Sequence, residues 1–298
     1  MSTTIYLGVT QFVEEHKKFI DVNLIYRAIP KFLKPFRKLF FDLNLPFKEV
    51  WLNKGFKETL MKYDTIILSA NQFNFRVAKI IDSYELENKR FIFWYWNPVA
   101  RVGSPKLLSS VWERWSFDKV DCEKYNLNYN NTYYFKRFIC DVEEREIEYD
   151  VSFVGQDKGR LSLLFDIEKQ LKIREINLYS HVVKDKTSYL DYDYKERIDY
   201  NKILEILQVS KVLLDIVQEG QSGLTLRIME GLFFSKKIIT NNTDVVKYDF
   251  YDLNNIFIWG VDPIEKLVDF IKGDYVPIKP EVLEAYTVNE WLNNFDRS

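Results

Sequence analysis

Eight short apolar runs recur along the chain, with segments of helical spacing between them. They are TIYLGV near the start, TIILSA (65–70), RFIFWYW (90–96), VSFVG (151–155), INLYSHV (176–182), VLLDI (212–216), KIIT (237–240) and IFIWG (256–260). Runs this short, rich in branched and aromatic residues, read as buried strands. Strand alternating with helix predicts parallel sheets whose connections cross over through helices. Three runs precede Asp150 and five follow it, so each half receives its own α/β sheet. Between them, RFICDVEEREIEYD (137–150) is charge-rich and lacks apolar periodicity, which suits an exposed connection. This places one domain at 1–145 and a second at 146–298, and 298 residues is a length at which two cores are expected. The tail VLEAYTVNEWLNNF (282–295) has helical spacing and is expected to pack back across either domain, the first included.

VLLDI runs into the polar turn VQEGQSG and then the helix pattern LTLRIMEGLFF. In a parallel sheet, ligands bind beyond the carboxyl ends of the strands, where strand-to-helix loops meet helix N-termini. Thr225 is placed to cap that helix, and free amides with the positive end of the dipole attract phosphate. Arg227 and Glu230, three apart, project from adjacent turns of one face. A guanidinium fork suits phosphate oxygens, and a carboxylate can accept from ribose hydroxyls. The plainer reading is an internal Arg–Glu pair that supports the helix. The second domain opens with the same grammar, VSFVG then QDKGR then a helix, which puts Gly155, Gly159 and Arg160 on a similar turn. Two such loops on one sheet edge would grip a diphosphate from two sides.

Composition narrows the field. Net charge is -2, which removes the broad basic footprint of a nucleic-acid binder. Two cysteines and two histidines form no metal-ligand spacing, and no window is long and apolar enough to span a bilayer. The start lacks a signal-peptide pattern, so a cytoplasmic protein is expected. No P-loop and no G-x-G-x-x-G follows a strand, which argues against kinase and dehydrogenase chemistry. Asp191 and Asp193 in LDYDY match a D-x-D metal pattern, but acidic pairs in such loops are ordinarily solvated. AIPKFLKPFRKLFF (28–41) interleaves Lys31, Lys34, Arg37 and Lys38 with aromatics. It reads either as a helix whose aromatic face is core, or as a segment that lies on an anionic membrane. For proton transfer the turn after the first strand offers Glu14, Glu15 and His16. Asn97 and Arg101 follow another strand, where they could contact a ligand.

The blocks VSFVGQDKGR, VLLDIVQEGQSGLTLRIMEGLFFSKKIITNN and YDFYDLNNIFIWG, with WSFDKVDCEKYNLNY in the first half, resemble bacterial glycosyltransferases of the two-Rossmann (GT-B) kind that assemble lipopolysaccharide and capsule. The resemblance implies an α/β fold of two Rossmann-like domains facing a central cleft. It implies transfer from a nucleotide diphosphate-sugar, UDP or GDP being the expected carriers, to a glycan or glycolipid. It also implies donor contacts from Gly155, Arg160, Ser222, Gly223, Leu224, Thr225, Arg227 and Glu230. Acceptor contacts would come from Asn97 and Arg101, with Glu14 as base, no metal, and peripheral attachment at the inner membrane face through 28–41. Retaining members carry two glutamates eight positions apart, and here Ser222 stands where the first would be. A nucleotide-sugar epimerase and a non-catalytic sugar- or nucleotide-binding protein are the alternatives on this scaffold.

Overall fold

A computed structural model describes residues 3–43, 45–140, 145–189, 191–218 and 222–297. The chain divides into two compact units, Met1–Asn130 and Asn131–Ser298. The first unit holds β1 (Thr4–Leu7), β2 (Asp21–Asn23), β3 (Thr65–Ser69), β4 (Arg90–Tyr95), β5 (Trp112–Ser116) and β6 (Asn128–Tyr129), in the order β2-β1-β3-β4-β5-β6. The second holds β7 (Tyr149–Gln156), β8 (Leu178–Val183), β9 (Ser210–Asp215), β10 (Lys237–Thr240) and β11 (Ile256–Ile258), in the order β11-β10-β9-β7-β8. Every pairing in both sheets is parallel.

Each of the eight apolar runs is a strand, and β2, β5 and β6 are strands that the pattern alone does not reveal. In the second sheet successive residues serve opposite faces, as a doubly covered sheet requires. Val212, Leu214, Ile239 and Phe257 pack with the Leu161–Ile173 and Leu267–Lys272 helices. Ile238, Ile256 and Ile258 pack with the Leu226–Phe233 helix on the other side. That helix sits close to β10: a Cβ built on Gly231 would lie 2.4 Å from Ile238 Cδ1.

The division between units falls upstream of 145. The Tyr134 N–H donates to the Tyr286 carbonyl (2.8 Å), and the Tyr134 carbonyl accepts from the Val288 N–H (3.2 Å). Trp291, on the Val288–Asn294 helix, lies 4.4 Å from Tyr133 between ring centroids. The C-terminal helix therefore packs on the opening segment of its own unit. Residues 141–144 of the charge-rich stretch lie outside the described residues.

In the first unit, the single helical turn Val13–His16 folds back under β1 and buries His16 completely. Its Nδ1 donates to the Phe12 carbonyl at 2.8 Å, and the ring meets Tyr6 edge-on at 5.4 Å. Burial outweighs the backbone acceptors and Glu15 and lowers the imidazole pKa to about 4.

Two outcomes follow from this packing. Gly231→Ala gains helix propensity but overfills the contact with Ile238, and urea denaturation should show a loss of about 1–3 kcal/mol. For His16, the folded pKa lies below the unfolded value, so its neutral form is the one folding favours. The stability it contributes above about pH 6.5 is lost as pH falls toward 4, amounting to about 2 kcal/mol between pH 7 and pH 5. His16→Gln should flatten that part of the pH–stability curve; an unchanged slope would place the titration elsewhere.

Candidate functional site

The order of the second sheet reverses between β7 and β9, and the crevice beyond the carboxyl ends of these strands is the switch point where α/β sheets hold ligands. The expected residues converge there. Thr225 caps the Leu226–Phe233 helix, its Oγ1 accepting from the Ile228 N–H at 3.2 Å. The same hydroxyl donates to Asp215 Oδ1 at 2.8 Å, and the Thr240 hydroxyl donates to Oδ2 at 3.1 Å. Asp215, at the end of β9, is 3% exposed. Burial pushes its carboxyl pKa upward, against the two hydroxyls and Arg160, which favour the charged form. One carboxylate thus locks the ends of β9 and β10 to the start of the helix.

Arg227 reaches across to β7, where its Nη2 donates to the Val154 carbonyl at 3.0 Å. Its Nη1 lies 2.6 Å from Glu230 Oε2, an ion pair without hydrogen-bond alignment. Glu230 is 1% exposed, and its other oxygen accepts from the Tyr200 hydroxyl at 2.9 Å. The Tyr200 and Tyr134 hydroxyls are 2.6 Å apart. Burial raises the Glu230 pKa, with Arg227 and Tyr200 opposing it. The carboxylate is therefore occupied by protein on both oxygens, and the internal pair weighed in the sequence is present.

Arg160 is held in a similar way. Its Nε donates to the Asp157 carbonyl at 3.2 Å, while Nη1 and Nη2 donate to the Ile216 and Gln156 carbonyls. It ties the β7 loop to the β9 loop. A Cβ on Gly155 would stand 2.9 Å from Arg160 Nη2, so the missing side chain makes room for the guanidinium. Leu224 is buried in the core beneath the helix. Gly223 is buried, Ser222 is half-buried, and the Ser222 carbonyl accepts from Asn242 Nδ2 at 3.2 Å. Gly220, the first glycine of the expected turn, lies with residues 219 and 221 outside the described residues.

Sequence reasoning passed over Asp215, Thr240, Asn241, Asn242 and Tyr200. Asn241 Oδ1 accepts from the Val217 N–H at 2.7 Å, so the paired asparagines stitch the loops after β10 and β9 together. The signal was available: a carboxylate ending an apolar strand, and Thr-Asn-Asn ending the next.

In the first unit Glu14 is exposed and paired with Lys17 at 2.7 Å. Asn97 and Arg101 are exposed; Trp94 is fully buried and Trp96 half-buried. Asp191 and Asp193 are exposed, and Asp193 pairs with Lys195. Among the described residues no group of three or more His, Cys, Asp or Glu gathers as a metal site would require. The 28–41 segment splits its aromatics. Phe41 is buried and Phe40 packs on the core, but Phe32, Phe36 and Leu39 face solvent. A wholly internal aromatic face is not what forms.

No protein-family model matches the sequence, and no curated protein is similar to it. Solved structures are similar in fold. Sucrose-phosphate synthase from Thermosynechococcus elongatus superposes with a TM-score of 0.60 at 9% identity, covering 100% of this chain and 98% of that one. The DNA-modifying enzyme β-glucosyltransferase, solved with and without uridine diphosphoglucose, gives 0.52 at 13% identity, covering 99% of each. An Anabaena protein solved in complex with UDP gives 0.51 at 8% identity, covering 100% of this chain and 99% of that one. With parallel sheets of six and five strands, the chain has the α/β fold of the GT-B glycosyltransferases.

Proposed function

We propose that this chain is a glycosyltransferase that binds a nucleotide diphosphate-sugar at the carboxyl edge of the second sheet. The observation that carries the reading is Arg227, held by Glu230 and the Val154 carbonyl beside the Thr225-capped helix start at the β7/β9 switch point. A guanidinium fixed there, with the first-turn amides, would stabilise the leaving diphosphate electrostatically and without a metal. The fold neighbours solved with uridine diphosphoglucose and with UDP support the ligand class. Glu230 serves in this scheme by orienting Arg227, and Arg160 by holding the two loops in register. Ser222, Gly223 and Thr225 supply the turn that the diphosphate approaches, with Leu224 anchoring it from below and Gly155 admitting Arg160.

The first unit would take the acceptor, a glycan or glycolipid of a bacterial surface polysaccharide. Glu14 is the exposed carboxylate assigned to accept the hydroxyl proton, and Asn97 and Arg101 contact the acceptor. Peripheral attachment at the inner membrane face has support in the spacing 32, 36, 39 and 43. These four apolar residues lie four, three and four apart along the helical segment and are all exposed, Phe32 at 70%. No helix among the described residues is long and apolar enough to cross a membrane.

A thermal-shift series with UDP, GDP and their sugars, with and without EDTA, tests the donor site. The melting temperature should rise with one nucleotide whether or not EDTA is present. Arg227→Lys keeps the charge beside Glu230 but loses the fork, and should weaken that nucleotide by about 2 kcal/mol. Unchanged affinity would move the site away from Arg227, and absence of any shift would leave the pair as a support for the helix. Replacing Phe32 and Phe36 by serine should lower co-sedimentation with phosphatidylglycerol vesicles; equal binding would remove the membrane from the scheme.

A further inference from the structure

A cavity of about 620 Å³ opens within the first unit, lined by Tyr26, Lys31, Lys34, Arg37, Lys38 and the Asn71–Asn74 turn. Four of its lining residues are cationic, and no carboxylate lines it. The nearest acid on the same helix, Asp42, pairs with Arg76 Nη1 at 2.6 Å and, from the cavity lining itself, with Lys38 Nζ at 3.9 Å. Like charges gathered around one cavity repel one another, weakly where they are exposed to solvent as Lys31, Lys34 and Lys38 are, and the same positive field attracts an anion to the space between them.

Position agrees with charge. Tyr26 follows the carboxyl end of β2 and Asn71 follows that of β3, so the cavity lies on the edge of the sheet where α/β units hold ligands. Asn71 Oδ1 accepts from the N–H groups of Phe73 and Asn74, which places the start of the Asn74–Asp82 helix at the cavity wall. The Tyr26 hydroxyl is buried and has no hydrogen-bond partner among the described residues, although buried hydroxyls are ordinarily satisfied. The Arg37 guanidinium lies 4.4 Å from the centre of the Tyr26 ring. A phosphate seated between Lys34 and Arg37 would offset the charges of these two side chains, and the Tyr26 hydroxyl would donate to one of its oxygens.

We propose that this cavity is a phosphate-binding site. Taken with the transferase reading on which its role rests, it receives a phosphate carried by the acceptor, so the acceptor is an anionic, phosphorylated molecule. The phosphate belongs either to a soluble acceptor or to a lipid headgroup. The basic stripe of Lys31, Lys34 and Lys38 is set apart from the outward Phe32, Phe36 and Leu39 stripe on the same helical segment, so cavity and apolar stripe are separable by mutation.

The test uses the full chain, with sn-glycerol 3-phosphate and inorganic phosphate as soluble probes by calorimetry. Phosphatidylglycerol vesicles, with phosphatidylcholine as the neutral control, serve as the lipid probe. The double variant Lys34→Gln, Arg37→Gln should lose at least about tenfold in affinity while its melting temperature and nucleotide-induced shift stay as in the parent. Tyr26→Phe keeps the ring under Arg37 and should lose about fivefold. Dependence on Lys34 and Arg37 with the soluble probes identifies a soluble phosphorylated acceptor; dependence with vesicles alone identifies a lipid-borne phosphate. Absence of binding to every probe, or binding that the double variant leaves unchanged, overturns the site. The nucleotide shift is read on the same samples, so failure of the donor site and failure of this one are distinguishable.

Discussion

A carboxylate removed from water must be paired, and Glu230 is the point at which the second unit meets that demand. Its pairing with Arg227 and Tyr200 joins three separate elements: the Leu226–Phe233 helix, the end of β7 through the Val154 carbonyl, and the Tyr200–Gln208 helix. The Tyr200 hydroxyl extends the chain to Tyr134, in the segment that opens the unit. Removal of either charge would strand the other in a dry site, so the pair fixes Arg227 in space before any ligand arrives. Asp215 makes the parallel arrangement one step away, using two threonine hydroxyls where Glu230 uses an arginine and a tyrosine.

Much of the architecture was legible because both sheets are parallel and covered on two faces, so their strands are continuous apolar runs. The strands that escaped show what such reading needs. β2 is three residues, and β6 is two. β5 reads WERWS, and its charged centre looks like a turn until the Arg90 guanidinium is found on Glu113, with Nε at 2.6 Å and Nη2 at 2.8 Å. A lateral ion pair between neighbouring strands cannot be inferred from one strand at a time.

The candidate site was legible in place more than in role. Glycines and an N-capping threonine after an apolar strand mark a strand-to-helix connection, and the structure has β9 followed by the Thr225-capped helix there. Which way Arg160 and Glu230 face depends on carbonyls and hydroxyls supplied by distant residues, Ile216 and Tyr200, that local spacing does not encode. The 28–41 segment shows the same limit. Helical period identifies faces, but only the surrounding fold decides that Phe41 enters the core while Phe32 and Phe36 remain outside.

The two hydrogen bonds of Tyr134, to Tyr286 and Val288, set the first and last segments of the second unit side by side. A domain whose ends are fastened together is a closed module in the sense that matters for chain rearrangement: its entry and exit share one doorway. Such a unit can be carried as a cassette, spliced behind a different partner or permuted around its own termini, with its sheet and loops undisturbed. The second unit is then exchangeable as one piece.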